Sequence, residues 1–315
     1  MELPITVIIA TMNRPESLCR TLKGMAEAKD VPQQIIVVDQ SQNEEVCSQN
    51  KHILDSFNTI SSRVYVYQQK PSLTKARNLG FSKADNEILV FSDDDVDVHN
   101  DTFTNIATLM EDSSIAMIAG LDELTQKSQT NVGYLLGTRS LFNRKIGHVT
   151  YSMLGRYPDR ISTQTDTQWA QGYFFVVRKS CVDRWHLRWD ENLTSYAYAE
   201  DLDFSYSYYK QAKKESLRCI IDPIITIKHL ATLEYRVSSV KSLYMYIVNR
   251  KYLACKHGMG FKGIIGRNWC EFWRFLQQVI QQQNPKTFLM AYLCKFKYAK
   301  EINAGHLDYD KFMGL

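Results

Sequence analysis

Ile88-Leu89-Val90-Phe91-Ser92-Asp93-Asp94-Asp95-Val96-Asp97 sets four carboxylates directly after a short apolar run. Four apolar residues of this type, closed by a serine and a charged turn, read as a buried strand that ends where the acids begin. Ligands of open α/β sheets bind outside the carboxyl ends of strands, and carboxylates crowded there repel one another unless a cation neutralises them. The stretch therefore implies a divalent metal. Oxygen ligands favour Mg²⁺ or Mn²⁺, held between one or two carboxylates and substrate phosphates. A solvated acidic turn is the plain alternative.

Outward from this strand, the first 120 residues alternate short β-branched runs with longer amphipathic stretches, the pattern of βαβ units. Strands are expected at 4–10, 35–39, 63–68, 88–92 and 115–119, and helices at 15–28, 74–83 and 101–110. Pro15 suits a first helical turn, and Asn100-Asp101-Thr102 is a good cap. Asp39 closes the second strand, where a carboxylate can hydrogen-bond a base or a ribose hydroxyl. The implied fold class is α/β, with a mostly parallel open sheet and flanking helices, Rossmann-like in its amino-terminal half.

Residues 121–168 carry no sustained period and are expected to form a substrate-side insertion. A strand at 173–177, a short helix at 178–185 and a helix at 199–214 follow. Glu200, Asp201 and Asp203 crowd the last helix's first turn, where the dipole favours negative charge. A strand near 218–221 and the segment 226–230 come next.

The chain has 315 residues, 44% hydrophobic and 23% charged, which excludes global disorder and fibrous repeats. Its seven cysteines form no CxxC pair, so a reduced protein is expected. The amino terminus lacks a basic n-region and a cleavage site, and no apolar run approaches ~20 residues. A cytoplasmic location is expected, with peripheral attachment to the inner face of the cytoplasmic membrane as its extension.

Charge is uneven. Residues 1–204 hold 20 Lys and Arg against 27 Asp and Glu, a net of −7, while residues 205–315 hold 18 against 7, a net of +11. Helices expected at 239–256, 266–283 and 286–300 are basic and aromatic, a pattern that fits an interfacial helix or a helical layer with a solvated basic face. Gly258-Met259-Gly260-Phe261-Lys262-Gly263 satisfies GxGxxG but follows a helix, and is expected to be a helix-terminating loop.

Taken with Ala10-Thr11-Met12-Asn13-Arg14-Pro15, Asp39 and Leu73-Thr74-Lys75-Ala76-Arg77-Asn78-Leu79-Gly80, the acidic strand end resembles the family 2 glycosyltransferases of GT-A fold. Gln171-Gly172-Tyr173, Glu200-Asp201 and Lys228-His229 fall where that family places acceptor-side and catalytic elements. The resemblance covers about residues 4–230. It implies a GT-A catalytic domain over 1–235, with a nucleotide-sugar-binding half (1–120) and an acceptor-side half (121–235), and leaves 236–315 as a helical extension.

Roles carried over from the resemblance are as follows. Thr11, Arg14 and Asp39 form the nucleotide pocket, with Asp39 facing the base. Arg77, with Lys75 as a second candidate, approaches the diphosphate. Asp93 or Asp94 lies nearer the ribose, and Asp95 with Asp93 holds the metal, His229 being a further metal or diphosphate contact or a structural histidine. Asp201 is the general base, with Glu200 its rival. Gln40-Ser41-Gln42 departs from the family's usual second Asp and Gly-Ser turn, which blurs uridine against thymidine.

The implied activity is metal-dependent, inverting transfer from a nucleoside-diphosphate sugar, UDP-sugar favoured, to a glycan or lipid-linked oligosaccharide. The expected partners are that donor and acceptor, with membrane contact through 236–315 and no nucleic acid. A nucleotidyltransferase making sugar nucleotides would want a Gly-rich basic loop after the first strand, and Thr11-Met12-Asn13-Arg14 is not one. A polyanion-binding protein using the basic tail would leave the acidic strand ends unexplained.

Overall fold

The computed structural model describes residues 1–123, 132–139, 145–158, 160–230 and 238–314. The amino-terminal half runs β1 (Glu2–Thr11), α1 (Pro15–Ala26), β2 (Val31–Asp39), α2 (Glu44–Ser56), β3 (Ser62–Tyr67), α3 (Leu73–Phe81), β4 (Ile88–Ser92), β5 (Val96–Val98), α4 (Thr102–Met110) and β6 (Ile115–Asp122). Then come α5 (Val132–Leu135), β7 (His148–Val149), β8 (Gly155–Arg156), β9 (Thr165–Asp166), β10 (Phe174–Arg178), α6 (Lys179–Arg184), α7 (Glu200–Lys214) and β11 (Arg218–His229). Five helices close the chain: α8 (Ser239–Lys256), α9 (Gly260–Ile280), α10 (Pro285–Lys297), α11 (Ala299–Asn303) and α12 (Tyr309–Met313).

The central sheet is ordered β3-β2-β1-β4-β10-β6-β11-β5, with β9 pairing β11. β1, β2, β3 and β4 run parallel, as do β6 and β11, whereas β10 is antiparallel to both β4 and β6. Side chains alternate across the sheet with period two. Ile8, Ile36, Val38 and Phe91 face one layer of helices, and Val7, Ile9, Ile35 and Val37 face the other. Both faces are dry, which parallel strands require. Each fully buried aliphatic side chain there contributes about 1.5–3 kcal/mol.

Three differences from the sequence reading have physical causes. Helix α2 was not expected, because only Asn50 and Leu54 are buried in it; its amino end is set by Asn43, which accepts from the Glu45 N–H. The strand expected near 218–221 and the segment 226–230 after it form one strand, β11, whose register shifts between Ile221 and Thr226. The GxGxxG stretch is not simply a terminating loop. Gly258 takes φ +67° and ends α8, but Gly260 already opens α9. The stretch 121–168, expected to be only partly structured, carries short elements where described: α5, the β7–β8 pair and β9.

The division expected between 235 and 236 lies outside the described residues. α8, α10, α11 and α12 share a third core with Met153, Trp169, Leu193 and Leu202, so the carboxyl-terminal helices bury apolar side chains against residues between β7 and α7 and the start of α7.

Candidate active site

The turn after β1 carries the first site residues. Asn13 adopts φ +57°, a left-handed conformation that Asn tolerates, and its N–H donates to Ser41 Oγ at 2.8 Å. Pro15 then starts α1. This brings Thr11 and Arg14 beside the end of β4, where Thr11 Oγ1 donates to Asp94 at 2.7 Å and Arg14 Nη1 to Asp94 at 3.0 Å.

The acidic turn divides its work. Asp94 points inward, and burial pushes it up to about 6 against the opposing pull of Arg14 and Thr11. Asp97 lies on β5, half in water, with Arg20 at 4.0 Å. Asp93 and Asp95 meet His229 from the end of β11, the three offering ligand atoms within 4.8 Å of one another, with Arg14 3.7 Å from Asp95. His229 Nε2 lies 3.2 Å from Asp95, and its ring stacks on Tyr173 at 5.0 Å. Burial lowers the His229 pKa, but the hydrogen bond to Asp95 and the charges of Asp93, Asp95 and Asp122 outweigh it and hold it above the ordinary value.

These residues floor a cleft of about 730 Å³, also lined by Gln40, Ser72, Ser195, Tyr196, Ser238, Lys241 and Ser242. Ser195, Ala197 and Ala199 all adopt left-handed φ, at +61°, +54° and +66°. Three such non-glycine residues within five positions store strain immediately before α7.

Across the cleft floor stands Arg77. Its guanidinium is buried, donates through Nη1 to Glu200 at 3.0 Å and through Nη2 to Asp93 at 3.1 Å and the Gly172 carbonyl at 2.9 Å, and lies 4.5 Å over the Trp189 ring. Glu200 is thereby committed to an ion pair. Asp201, half-buried at the start of α7, instead accepts from the backbone N–H groups of Gly172 (2.8 Å) and Leu202 (2.7 Å). Burial raises its pKa and outweighs those hydrogen bonds and Arg77.

Thr11, Arg14, Asp93, Asp94, Asp95 and His229 thus come together at one cleft, with Glu200 and Asp201 linked to it through Arg77 and Gly172. Three expected residues stand elsewhere. Asp39 is fully buried and accepts from Ser41 N–H, Asn50 Nδ2 and the Tyr65 hydroxyl, each at 2.8 Å, so it organises the β2 turn while its neighbour Gln40 lines the cleft. Lys75 is exposed, 3.9 Å from Glu191, and does not line the cleft. Arg77 does not line it either.

The sequence reading missed Lys241. It lines the cleft from the first turn of α8, 3.8 Å from Asp310, so Arg14, His229 and Lys241 are basic groups facing this space. No spacing in the chain connects residue 241 to strand ends formed 150 positions earlier. Only its place at an expected helix start gave any signal.

A mostly parallel sheet with an acidic, histidine-flanked strand end and an acidic helix start beyond it is the arrangement of a GT-A glycosyltransferase. Residues 6–185 match the family model described as Glycosyl transferase family 2, and the chain belongs to that family.

No curated protein matches by sequence. Solved structures match in fold. A mannosyltransferase, PcManGT from Pyrobaculum calidifontis, in complex with GDP-Man and Mn²⁺, is 13% identical with TM-score 0.57, covering 95% of this chain and 88% of that one. GalNAc-T7 with UDP, GalNAc and Mn²⁺ is 16% identical with TM-score 0.56, covering 95% and 57%. TarS 1–349 of S. aureus with UDP-GlcNAc is 14% identical with TM-score 0.53, covering 91% and 75%.

Proposed function

We propose that this glycosyltransferase moves a sugar, with inversion, from a nucleoside-diphosphate sugar to a hydroxyl of a glycan or lipid-linked oligosaccharide, as in surface polysaccharide assembly. A UDP-sugar is the favoured donor and a dTDP-sugar its rival. The observation that carries the reading is the convergence of Asp93, Asp95 and His229 on one cleft, with Asp201 held across Gly172.

The donor set fits a divalent metal. Two carboxylates and an imidazole suit Mn²⁺ better than Mg²⁺, which prefers oxygen alone. When bound, the ion supplies positive charge to the leaving diphosphate.

The chain's own groups account for the rest. Arg14 and Lys241 face the cleft and offset charge growing on the departing phosphates. Asp201 takes the proton of the acceptor hydroxyl as its oxygen bonds the anomeric carbon, while the carbon–phosphate oxygen bond breaks on the opposite face and the nucleoside diphosphate leaves with the electron pair. Burial that raises its pKa brings Asp201 nearer the working range of a general base. Arg77 neutralises Glu200 beside it and keeps the Asp93 carboxylate and the Gly172 carbonyl in place.

Thermal unfolding with UDP, GDP, dTDP and CMP, each with Mn²⁺ or EDTA, tests the reading, since ligand at ~100 times its Kd adds ~2.7 kcal/mol of apparent stability. The expected result is a Mn²⁺-dependent shift with UDP or dTDP that Asp95→Ala abolishes. A shift equally large in EDTA, or kept by Asp95→Ala, overturns the metal assignment.

A further inference from the structure

We propose that α9 and α10 form a face that lies on an anionic lipid surface. No helix among the described residues is long and apolar enough to cross a membrane, so this is contact along a surface and not a span.

On α9, Phe261, Ile265, Trp269 and Phe272 recur at steps of three and four and are each at least 45% exposed; on α10, Leu293 and Phe296 do the same. Residues at this spacing share one side of a helix. The opposite sides of these helices are already packed. Cys270 and Glu271 are buried on α9, Phe288 and Cys294 on α10, and Lys295 pairs with Glu271 between the two helices. Trp269 sits at the edge of the stripe, its indole N–H donating to the Leu135 carbonyl at 2.8 Å; the rest of the stripe is a second apolar face, beyond the packed side of each helix. Contiguous exposure of large apolar side chains on two neighbouring helices marks an interaction surface and not ordinary surface scatter.

Charge selects the occupant. From residue 260 to 300 the only acid is Glu271, which is buried, whereas Lys262, Arg274, Lys286, Lys297 and Lys300 are all exposed. Every exposed charge on this stretch is positive. A second copy of the chain docking the same face about a two-fold axis would set these cations against their own kind. An anionic bilayer offers the complement twice over, acyl chains for the stripe and headgroup phosphates for the lysines.

The inference does not rest on the transfer reaction, and lipid binding is measured without any donor, so its failure and the failure of the proposed function are separately visible. The experiment is co-sedimentation of the full chain with vesicles of phosphatidylcholine alone or mixed with phosphatidylglycerol, at low and high salt. Binding is expected to the mixed vesicles, weakened by salt, and reduced at least ~10-fold by Ile265→Glu combined with Leu293→Glu. These positions are exposed, so the unfolding midpoint of the double variant is expected to hold. Lys262→Glu with Lys297→Glu is expected to weaken binding, while Lys213→Glu with Lys214→Glu, on the exposed end of α7, leaves it unchanged. Wild-type emission is expected to shift to the blue on vesicles, and Trp269→Phe to remove that shift.

No binding to mixed vesicles overturns the proposal. So does equal loss on changing Lys213 and Lys214, which would reduce the effect to bulk charge, or a dimer that the Ile265→Glu and Leu293→Glu pair dissolves, which would give the face to a second copy.

Discussion

Within the acidic pair the two neighbours are unlike. Glu200 is neutralised by Arg77, and Asp201 is held only by backbone N–H groups. Asp201→Asn keeps the size and the hydrogen bonds to Gly172 and Leu202 within reach but cannot take a proton. It is expected to retain the Mn²⁺-dependent nucleotide shift and to lose transfer by ~10²–10⁴-fold, measured by product formation at saturating donor. Arg77→Met leaves Glu200 buried without its cation, a change expected to destabilise the fold by about 3–5 kcal/mol in denaturant unfolding. The sequence could say that carboxylates stand at strand ends but not which way each one faces. Asp93, Asp94 and Asp95 lie in the turn between β4 and β5, where the strand's period of two no longer holds, so their directions are set by the turn and by Thr11, Arg14, Arg77 and His229 around it. Asp39 was legible as a strand-end acid. Its three donors come from residues 41, 50 and 65, and nothing local foretells that they close it off from the cleft.

Helices and strands were legible where an apolar period is strong. α1 shows its face in Leu18, Leu22 and Met25, whereas in α2 the polar run 48–52 interrupts the face made by Val46, Cys47, Ile53 and Leu54. Close approach between elements is invisible in such a period and rests on single glycines. A Cβ at Gly80 would sit 2.4 Å from the Ile8 side chain, because α3 lies directly on β1. A Cβ at Gly24 on α1 meets nothing within 4 Å. Ala in a helix gains about 0.8–1 kcal/mol over Gly, while overpacking a core costs about 1–3 kcal/mol. Gly24→Ala is therefore expected to raise the unfolding midpoint and Gly80→Ala to lower it, the same substitution giving opposite signs.

The carboxyl-terminal helices join the body through charges as well as the third core. Lys256, at the end of α8, bonds Asp190 at 2.6 Å and Asp203 at 2.7 Å. Burial pushes the Asp190 pKa up, but the hydrogen bonds from Lys256 and Tyr252 outweigh it, so the folded value lies below the ordinary one. A depressed carboxyl stabilises the fold above its unfolded pKa of about 3.9, and that contribution is lost as pH falls through the lower folded value. Lys256→Met is expected to cost on the order of 2 kcal/mol at neutral pH, less than a fully buried pair because the lysine side chain keeps 32% of its surface in water, and the gap to wild type should close below about pH 4. The reversed strand β10 has a consequence at the same scale. It ties its own entrance to the end of β4, with Asp93 N–H donating to the Tyr173 carbonyl at 2.9 Å, and Gly172 just before it holds Asp201. The spacing between Asp93 and Asp201, the proposed metal ligand and the proposed base, is thus fixed by a backbone ladder inside the sheet, to which the described residues 145–158 do not belong. Substitutions at exposed positions of 145–158, such as Tyr151, are therefore expected to leave the distance from Asp93 to Asp201 as it is, so that such changes and the proposed bond-making step can vary independently.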